Sequence, residues 1–199
     1  MTKLYTLILI LIIGSSTASM GTPLAGMYTI GGVNPDYISL SDAITALDSN
    51  GVSAAVLFNI RDGIYNEGLI FNAIAGASSV NTITFQSESH DSTAVEINFT
   101  TTATQHNGIY LNHVSYIRFH QLSVHQTSSI YNTAVIFVDR GNYLTISNCV
   151  LSGINSGTTS ATDYVIEGCS DTGMVIQNCN LSGGTNGVYL SATSTNAYN

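Results

Sequence analysis

Four stretches of the chain can be laid over one another at intervals of 24 to 30 residues, and this repetition limits the fold more than any motif does. Gly108-Ile109-Tyr110-Leu111 recurs as Val135-Ile136-Phe137-Val138, as Asp163-Tyr164-Val165-Ile166 and as Gly187-Val188-Tyr189-Leu190. A second strip follows the first three copies: Ile117-Arg118-Phe119-His120-Gln121-Leu122, Leu144-Thr145-Ile146-Ser147-Asn148-Cys149 and Met174-Val175-Ile176-Gln177-Asn178-Cys179. A period of this length is that of a solenoid. Within each strip apolar and polar residues alternate over three to five positions, with Gly, Ser, Asn and Thr between, so each unit reads as short strands joined by turns. Strands that stack on their own copies one coil later must run parallel, with one face of each buried inside the coil.

The residues ahead of the repeats read as an N-terminal module. Tyr28-Thr29-Ile30 is a strand and Asn34-Pro35-Asp36 a turn; Ser39 or Ser41 caps a short helix with Ala43, Ile44 and Leu47 on one face, which Asp48-Ser49-Asn50-Gly51 ends. Val56, Phe58 and Ile60 alternate as a strand, Arg61-Asp62-Gly63 turns, and Leu69 to Phe71 and Ile83 to Phe85 begin the coils. An open parallel coil exposes core and unpaired backbone at its end, so a short helix there has a covering task. Further upstream, Lys3, the apolar run Leu4 to Ile13 and the small residues Thr17-Ala18-Ser19 have the layout of a secretory signal peptide. That run is too short to span a bilayer. The expected organisation is a signal peptide at 1–19 and a β-helix domain at 20–199, truncated at its C-terminal end because no capping unit follows Ser191. The protein is then secreted or displayed at the cell surface, with no membrane span.

Charge narrows the partners. Only 8% of residues are charged and the net charge is −8. Nucleic acid is excluded as a partner, because phosphate binding needs clustered cations and only Arg61, Arg118 and Arg140 follow Lys3. Cys149, Cys169 and Cys179 are odd in number, so they cannot all pair within the chain. Cys149 and Cys179 occupy the same place in successive repeats, about one strand spacing (roughly 4.8 Å) apart. They are either two small apolar residues stacked in a core or, given the right torsion, a disulfide. His106, His113, His120 and His125 lie close in sequence without metal-ligand spacing, and His120 and His125 flank a turn that sends them to different sheets.

The run from Tyr28 to Glu67, with Asp36-Tyr37, Ser39-Leu40, Ala43-Ile44 and Gly63-Ile64-Tyr65-Asn66-Glu67, resembles the opening of pectin-esterase-like right-handed parallel β-helices. The later strips resemble generic repeats of the pectin-lyase-like superfamily. The resemblance covers about residues 28 to 190. It implies an all-β fold: a right-handed parallel β-helix, three strands per coil, with a short N-terminal capping helix. It does not by itself imply an activity, since folds host many functions. Pectin esterases of this fold use two aspartates, an arginine and glutamines, set in Gln-Asp-Thr-Leu and Asp-Phe-Ile-Phe-Gly type motifs, and neither motif is present. The nearest string, Cys169-Ser170-Asp171-Thr172-Gly173, lacks the aromatic residues after its aspartate. Asp139 and Arg140, as adjacent strand residues, should point to opposite faces. No catalytic residue is assigned. The favoured reading is a module of a larger protein that binds a polysaccharide or cell-surface glycan, or mediates adhesion; the alternatives are a polysaccharide-processing lyase or esterase with catalytic coils downstream, and an inert spacer.

Alternation then assigns columns. Ile109, Leu111, Ile136, Val138, Tyr164, Ile166, Val188 and Leu190 should face inward on one sheet, and Ile117, Phe119, Leu144, Ile146, Met174 and Ile176 on the next. Tyr110, Phe137, Val165 and Tyr189 should then face outward, and the aromatic members Tyr110, Phe137 and Tyr189 form a ligand-binding stripe on which sugar rings could stack. Asn112, Asp139, Glu167 and Ser191 follow the inward residues, which places Asp139 and Glu167 on neighbouring rungs as a candidate calcium site; no other cofactor is implied. Gln121, Asn148 and Asn178 should stack as a structural ladder in the tight turn after the second strip, their amides serving backbone groups that the bend leaves unpaired.

Overall fold

The computed structural model describes residues 21–128, 134–154 and 163–192. The expected signal peptide lies outside the described residues. Three parallel sheets form the walls of a β-solenoid. Sheet A has six strands, in hydrogen-bonded order Leu24–Ile30, Val52–Ile60, Ile83–Ser87, Ile117–His120, Thr145–Ser147 and Val175–Gln177. Sheet B stacks Gly63–Asn66, Val95–Thr100, Ser123–Ser128, Val150–Ser152 and Asn180–Ser182; sheet C stacks Leu69–Phe71, Ile109–Asn112, Ala134–Asp139, Tyr164–Cys169 and Asn186–Ser191. The chain visits A, B and C in turn, so the fold is the all-β parallel β-helix with three strands per coil, and its short helix is Leu40–Asn50.

One interior runs the length of the coil. In sheet A, Tyr28 pairs with Phe58, Phe58 with Phe85, Phe85 with Phe119 and Phe119 with Ile146. The rings stack: Phe58 and Phe85 centroids lie 4.6 Å apart and those of Phe85 and Phe119 lie 5.9 Å apart. Ile97, Val124 and Leu151 answer from sheet B, and Leu111 and Val138 from sheet C, all buried. Parallel strands of this kind can bury both faces only where something covers the outside; elsewhere the outer positions are polar, as at Thr84, Arg118 and Thr145.

The helix closes the leading end. Ser39 is its N-cap, its hydroxyl accepting from Asp42 N while the Asp42 carboxylate accepts from Ser39 N, each at 3.1 Å. Glu67, two coil segments away in sequence, adds both carboxylate oxygens to the same helix end, accepting from Leu40 N and Ser41 N at 3.0 Å. A negative group there is favoured by the exposed amides and the helix dipole. Leu40, Ala43, Ile44 and Leu47 are buried against the first strands. At Gly51 the backbone turns at φ +65°, and a Cβ would sit 2.5 Å from the Ala75 carbonyl oxygen, so the helix end and the first coil fit only around glycine.

Tight turns form columns of left-handed residues. His90, Gln121, Asn148 and Asn178 occupy the bend between sheets A and B with φ of 59°, 54°, 53° and 53°. Gln121 N donates to Ser147 O and Asn148 N to Gln177 O, each 3.1 Å, tying every bend to the next. Gln121 Nε2 donates to the main-chain carbonyl of His90 at 2.7 Å, the backbone role expected, while Asn148 Nδ2 lies 3.4 Å from the ring nitrogen His120 Nδ1. His120 and His125 do lie on different sheets.

Sheet C departs from the expected register in its third copy. Ile136 pairs with Ile109 and with Ile166, so Phe137 stands opposite Tyr110 on one side and Glu167 on the other. The overlay placed this strand two residues out. A slip of two preserves the inside-outside alternation, so hydrophobic pattern cannot detect it. Two faces are also exchanged at the strand's start: Val165 is fully buried in the main core, while Tyr164 packs in a separate outer cluster with Phe137, Ala134 and Cys169. Val135 and Ile136 both belong to the core, so the strand bends there and strict alternation fails. Val188 and Leu190 keep their register but are 44% and 56% exposed.

Candidate functional site

The outer face of sheet C collects the residues that sequence reasoning singled out, in a different arrangement. One column reads Tyr110, Phe137, Glu167, Tyr189, and the column beside it Asn112, Asp139, Cys169, Ser191. Tyr110 and Phe137 stack with centroids 5.4 Å apart and 28° between planes. Phe137 is buried, Tyr110 half-buried and Tyr189 exposed. Tyr189 stacks on Tyr164 at 5.2 Å instead of continuing the Tyr110–Phe137 pair, because Glu167 occupies the rung between.

Asp139 and Glu167 share the face but are not opposite one another: Asp139 pairs with Asn112 and Cys169, Glu167 with Phe137 and Tyr189. They are diagonal neighbours, one rung and two residues apart, which is about 8 Å between Cα atoms from a ~4.8 Å strand spacing and a ~3.3 Å rise. Their surroundings differ. Arg140 grips both oxygens of Asp139, Nε to Oδ1 at 3.0 Å and Nη2 to Oδ2 at 3.1 Å. The expectation that adjacent residues diverge fails because Arg140 has left the strand: its φ of +55° turns it back beside Asp139. Among the described residues Glu167 has no such ion pair and its Oε2 is buried without a hydrogen-bond partner; burial pushes its ionisation above the usual carboxylate range. Asp139 and Glu167 are diagonal rather than the directly opposed pair expected, and no group of three His, Cys, Asp or Glu converges among the described residues.

Asp171, set aside in the sequence, joins this region from the turn after sheet C. Its Oδ1 accepts from Gly141 N at 2.7 Å, while its Oδ2 is buried with no hydrogen-bond partner among the described residues. A Cβ on Gly168 would come 2.3 Å from that Oδ2, so the carboxyl fills the inward position that Gly168 leaves empty between Val138 and Leu190. Burial and the nearby Asp139 charge push Asp171 up to about 6, against the lowering effect of the Gly141 bond. Asp171 thus holds the turn and points away from the outer face. The sequence signal was the glycine three residues earlier, at a position where other copies carry Leu or Val.

Cys149 is buried and Cys179 half-buried, both as free thiols. Each thiol donates to backbone carbonyls, Cys149 to Ser147 O and Cys179 to Gln177 O at 3.3 Å; the neighbouring Cys179 thiol and then burial push Cys149 up, while the neighbouring Cys149 thiol lowers Cys179.

No family model matches the chain, and no curated protein matches it. Among solved structures, the pectin methylesterase from Aspergillus niger superposes with a TM-score of 0.53 at 16% identity, over 87% of this chain and 70% of that one. A pectin methylesterase mutant in complex with a hexasaccharide gives a TM-score of 0.55 at 13% identity, over 82% of this chain and 66% of that one. The shared feature is the fold, a parallel β-helix, as the Tyr28 to Glu67 run and the repeats implied.

Proposed function

We propose that the protein is an exported polysaccharide-processing enzyme acting on the outer face of sheet C. The observation that carries this reading is the pair of carboxyl groups on that face with opposite surroundings, Asp139 held by Arg140 and Glu167 buried with its Oε2 lacking a hydrogen-bond partner among the described residues. Acid and base assignments follow from such divergent environments. Glu167, which keeps its proton to higher pH, donates to the leaving oxygen; Asp139 takes the proton of the attacking water, and Arg140 fixes its orientation. The sum is hydrolysis: water adds across the bond, and both acids are restored by exchanging one proton. The Tyr110–Phe137 stack supplies flat apolar contact for a sugar ring. Superposition on a pectin methylesterase solved with a hexasaccharide supports a polymeric sugar as the substrate class, and the leader at residues 1–19 supports an extracellular place of action. The acids are this chain's own, since the esterase motifs are absent from its sequence.

The second reading is a binding module without turnover, favoured by the aromatic stack alone. Incubating the full chain with esterified and de-esterified polygalacturonate, while following acid release and chain length, separates the two. The enzyme reading expects release that is lost in Glu167→Gln and Asp139→Asn with melting temperature retained. Retention on the polymer without release selects the binding module, and neither retention nor release removes both.

A further inference from the structure

A second surface, on sheet A rather than sheet C, has the composition of a binding site for an acidic sugar. Its base is the turn leading into sheet A, where Tyr116, Tyr143 and Gly173 recur at one position with φ of 59°, 54° and 68°. The Tyr116 and Tyr143 rings lie nearly parallel, 12° between planes and 5.0 Å between centroids. Gly173 is required beside them, for a Cβ there would approach Tyr143 Cδ1 to 2.7 Å. The ring therefore lies flat across the next rung, and Tyr143 is 53% exposed. Next to the tyrosines runs the outward column Thr84, Arg118, Thr145, Val175. Tyr116, Arg118, Tyr143, Thr145, Gly173 and Val175, with Ser79 and Thr82, line a cavity of about 260 Å³.

Arg118 distinguishes this cavity. Arg61 pairs with Glu88 at 3.5 Å and Arg140 with Asp139 at 3.0 Å, but among the described residues Arg118 has no carboxylate within 4.0 Å. An unpaired guanidinium on a chain of net charge −8 is a local exception in the field of the protein. Its planar fork matches a carboxylate, the exposed tyrosine face matches the apolar face of a pyranose, and the hydroxyls of Thr145, Thr82 and Ser79 match sugar hydroxyls. We infer that the groove of Tyr116, Tyr143 and Arg118 binds a carboxylate-bearing pyranose, a hexuronate unit of a linear polysaccharide. The site is independent of the acids on sheet C and does not rest on their catalytic reading.

The test is titration calorimetry of the full chain with trigalacturonate and with the neutral galactose trisaccharide. The acidic trisaccharide should bind at least tenfold more tightly than the neutral one. Arg118→Gln should remove that difference, and Tyr143→Ala should weaken both ligands. Both groove substitutions are at exposed side chains, and melting temperatures within a degree or two of wild type confirm the fold. Equal affinity for the two trisaccharides, no binding of either, or an unchanged preference in Arg118→Gln overturns the inference.

Discussion

The two ends of the described coil solve the same packing problem differently. At the leading end, Leu40, Ala43, Ile44 and Leu47 of the helix lie over the first strands and are buried, and Ser39, Asp42 and Glu67 satisfy the helix amides. At the Asn186–Ser191 rung, Val188 and Leu190 occupy inward positions yet are 44% and 56% exposed, because among the described residues a strand neighbours them on one side alone. In a solenoid each rung contacts only its neighbours, so burial is a property of rung position as much as of residue type. The same leucine in the same column is core in one place and surface in another.

Leu111 and Leu190 test this directly, since they lie in one column of sheet C, through Val138 and Gly168. Leu111→Ala should lower unfolding free energy by about 2–5 kcal/mol, as for a fully buried leucine that leaves a cavity. Leu190→Ala should cost under about 1 kcal/mol, since little apolar surface is returned to water. Denaturant titrations of both variants measure the difference, and equal losses would mean that the last rung is covered as fully as the middle ones.

Between these extremes stand the turns. Asn148→Leu places a branched side chain at φ +53° and removes the amide near His120, and should cost about 1–3 kcal/mol. Asn178→Leu, on the last described rung, should cost less; reversal of that order in thermal melts would show that turn strain does not depend on rung position.

Asp171 gives a smaller effect with a pH signature. Its folded ionisation is raised from the usual 3.8 to about 6, so the native state holds a proton that the unfolded chain releases. Stability from this group is complete below about pH 4 and is lost as pH rises towards 6; after discounting for solvent screening the loss is on the order of 1 kcal/mol. Asp171→Asn keeps an acceptor for Gly141 N and should flatten the stability profile between pH 4 and 6. An unchanged slope in that window would place the titration elsewhere. The smallest contrast is chemical: Cys179, half-buried and with its ionisation lowered, should react with a thiol reagent well before buried Cys149, as peptide mass mapping would read.

Much of the architecture was legible because its causes are local or periodic. The helix at Leu40–Asn50 shows its cap, its apolar face and its terminating glycine in order. The column Gln121, Asn148, Asn178 appears because its copies recur at similar spacing. The site was less legible. Glu167 was placed beside Asp139 and Val165 on the outer face, since an error of two residues leaves every apolar residue on its proper side until the strand bends. Tyr116 and Tyr143 were overlooked because they sit in turns, where alternation has nothing to say, although their 27-residue separation is that of the repeat.

The sequence by itself determined that strands would stack in parallel on their own copies, that a helix would cover the leading end, and that asparagine and glutamine would take the tight bends, since periodicity and local backbone preference set all three. The tertiary structure alone decided which residues face one another across rungs. That choice depends on volume: the space left by Gly168, which the Asp171 carboxyl fills, has no counterpart in a one-dimensional pattern. Through it Glu167 comes beneath Tyr189 and beside Phe137, and through the left-handed turn at Arg140 a guanidinium comes back to Asp139. Chemistry on this coil is set by contacts between rungs, which a repeat predicts only to the nearest face.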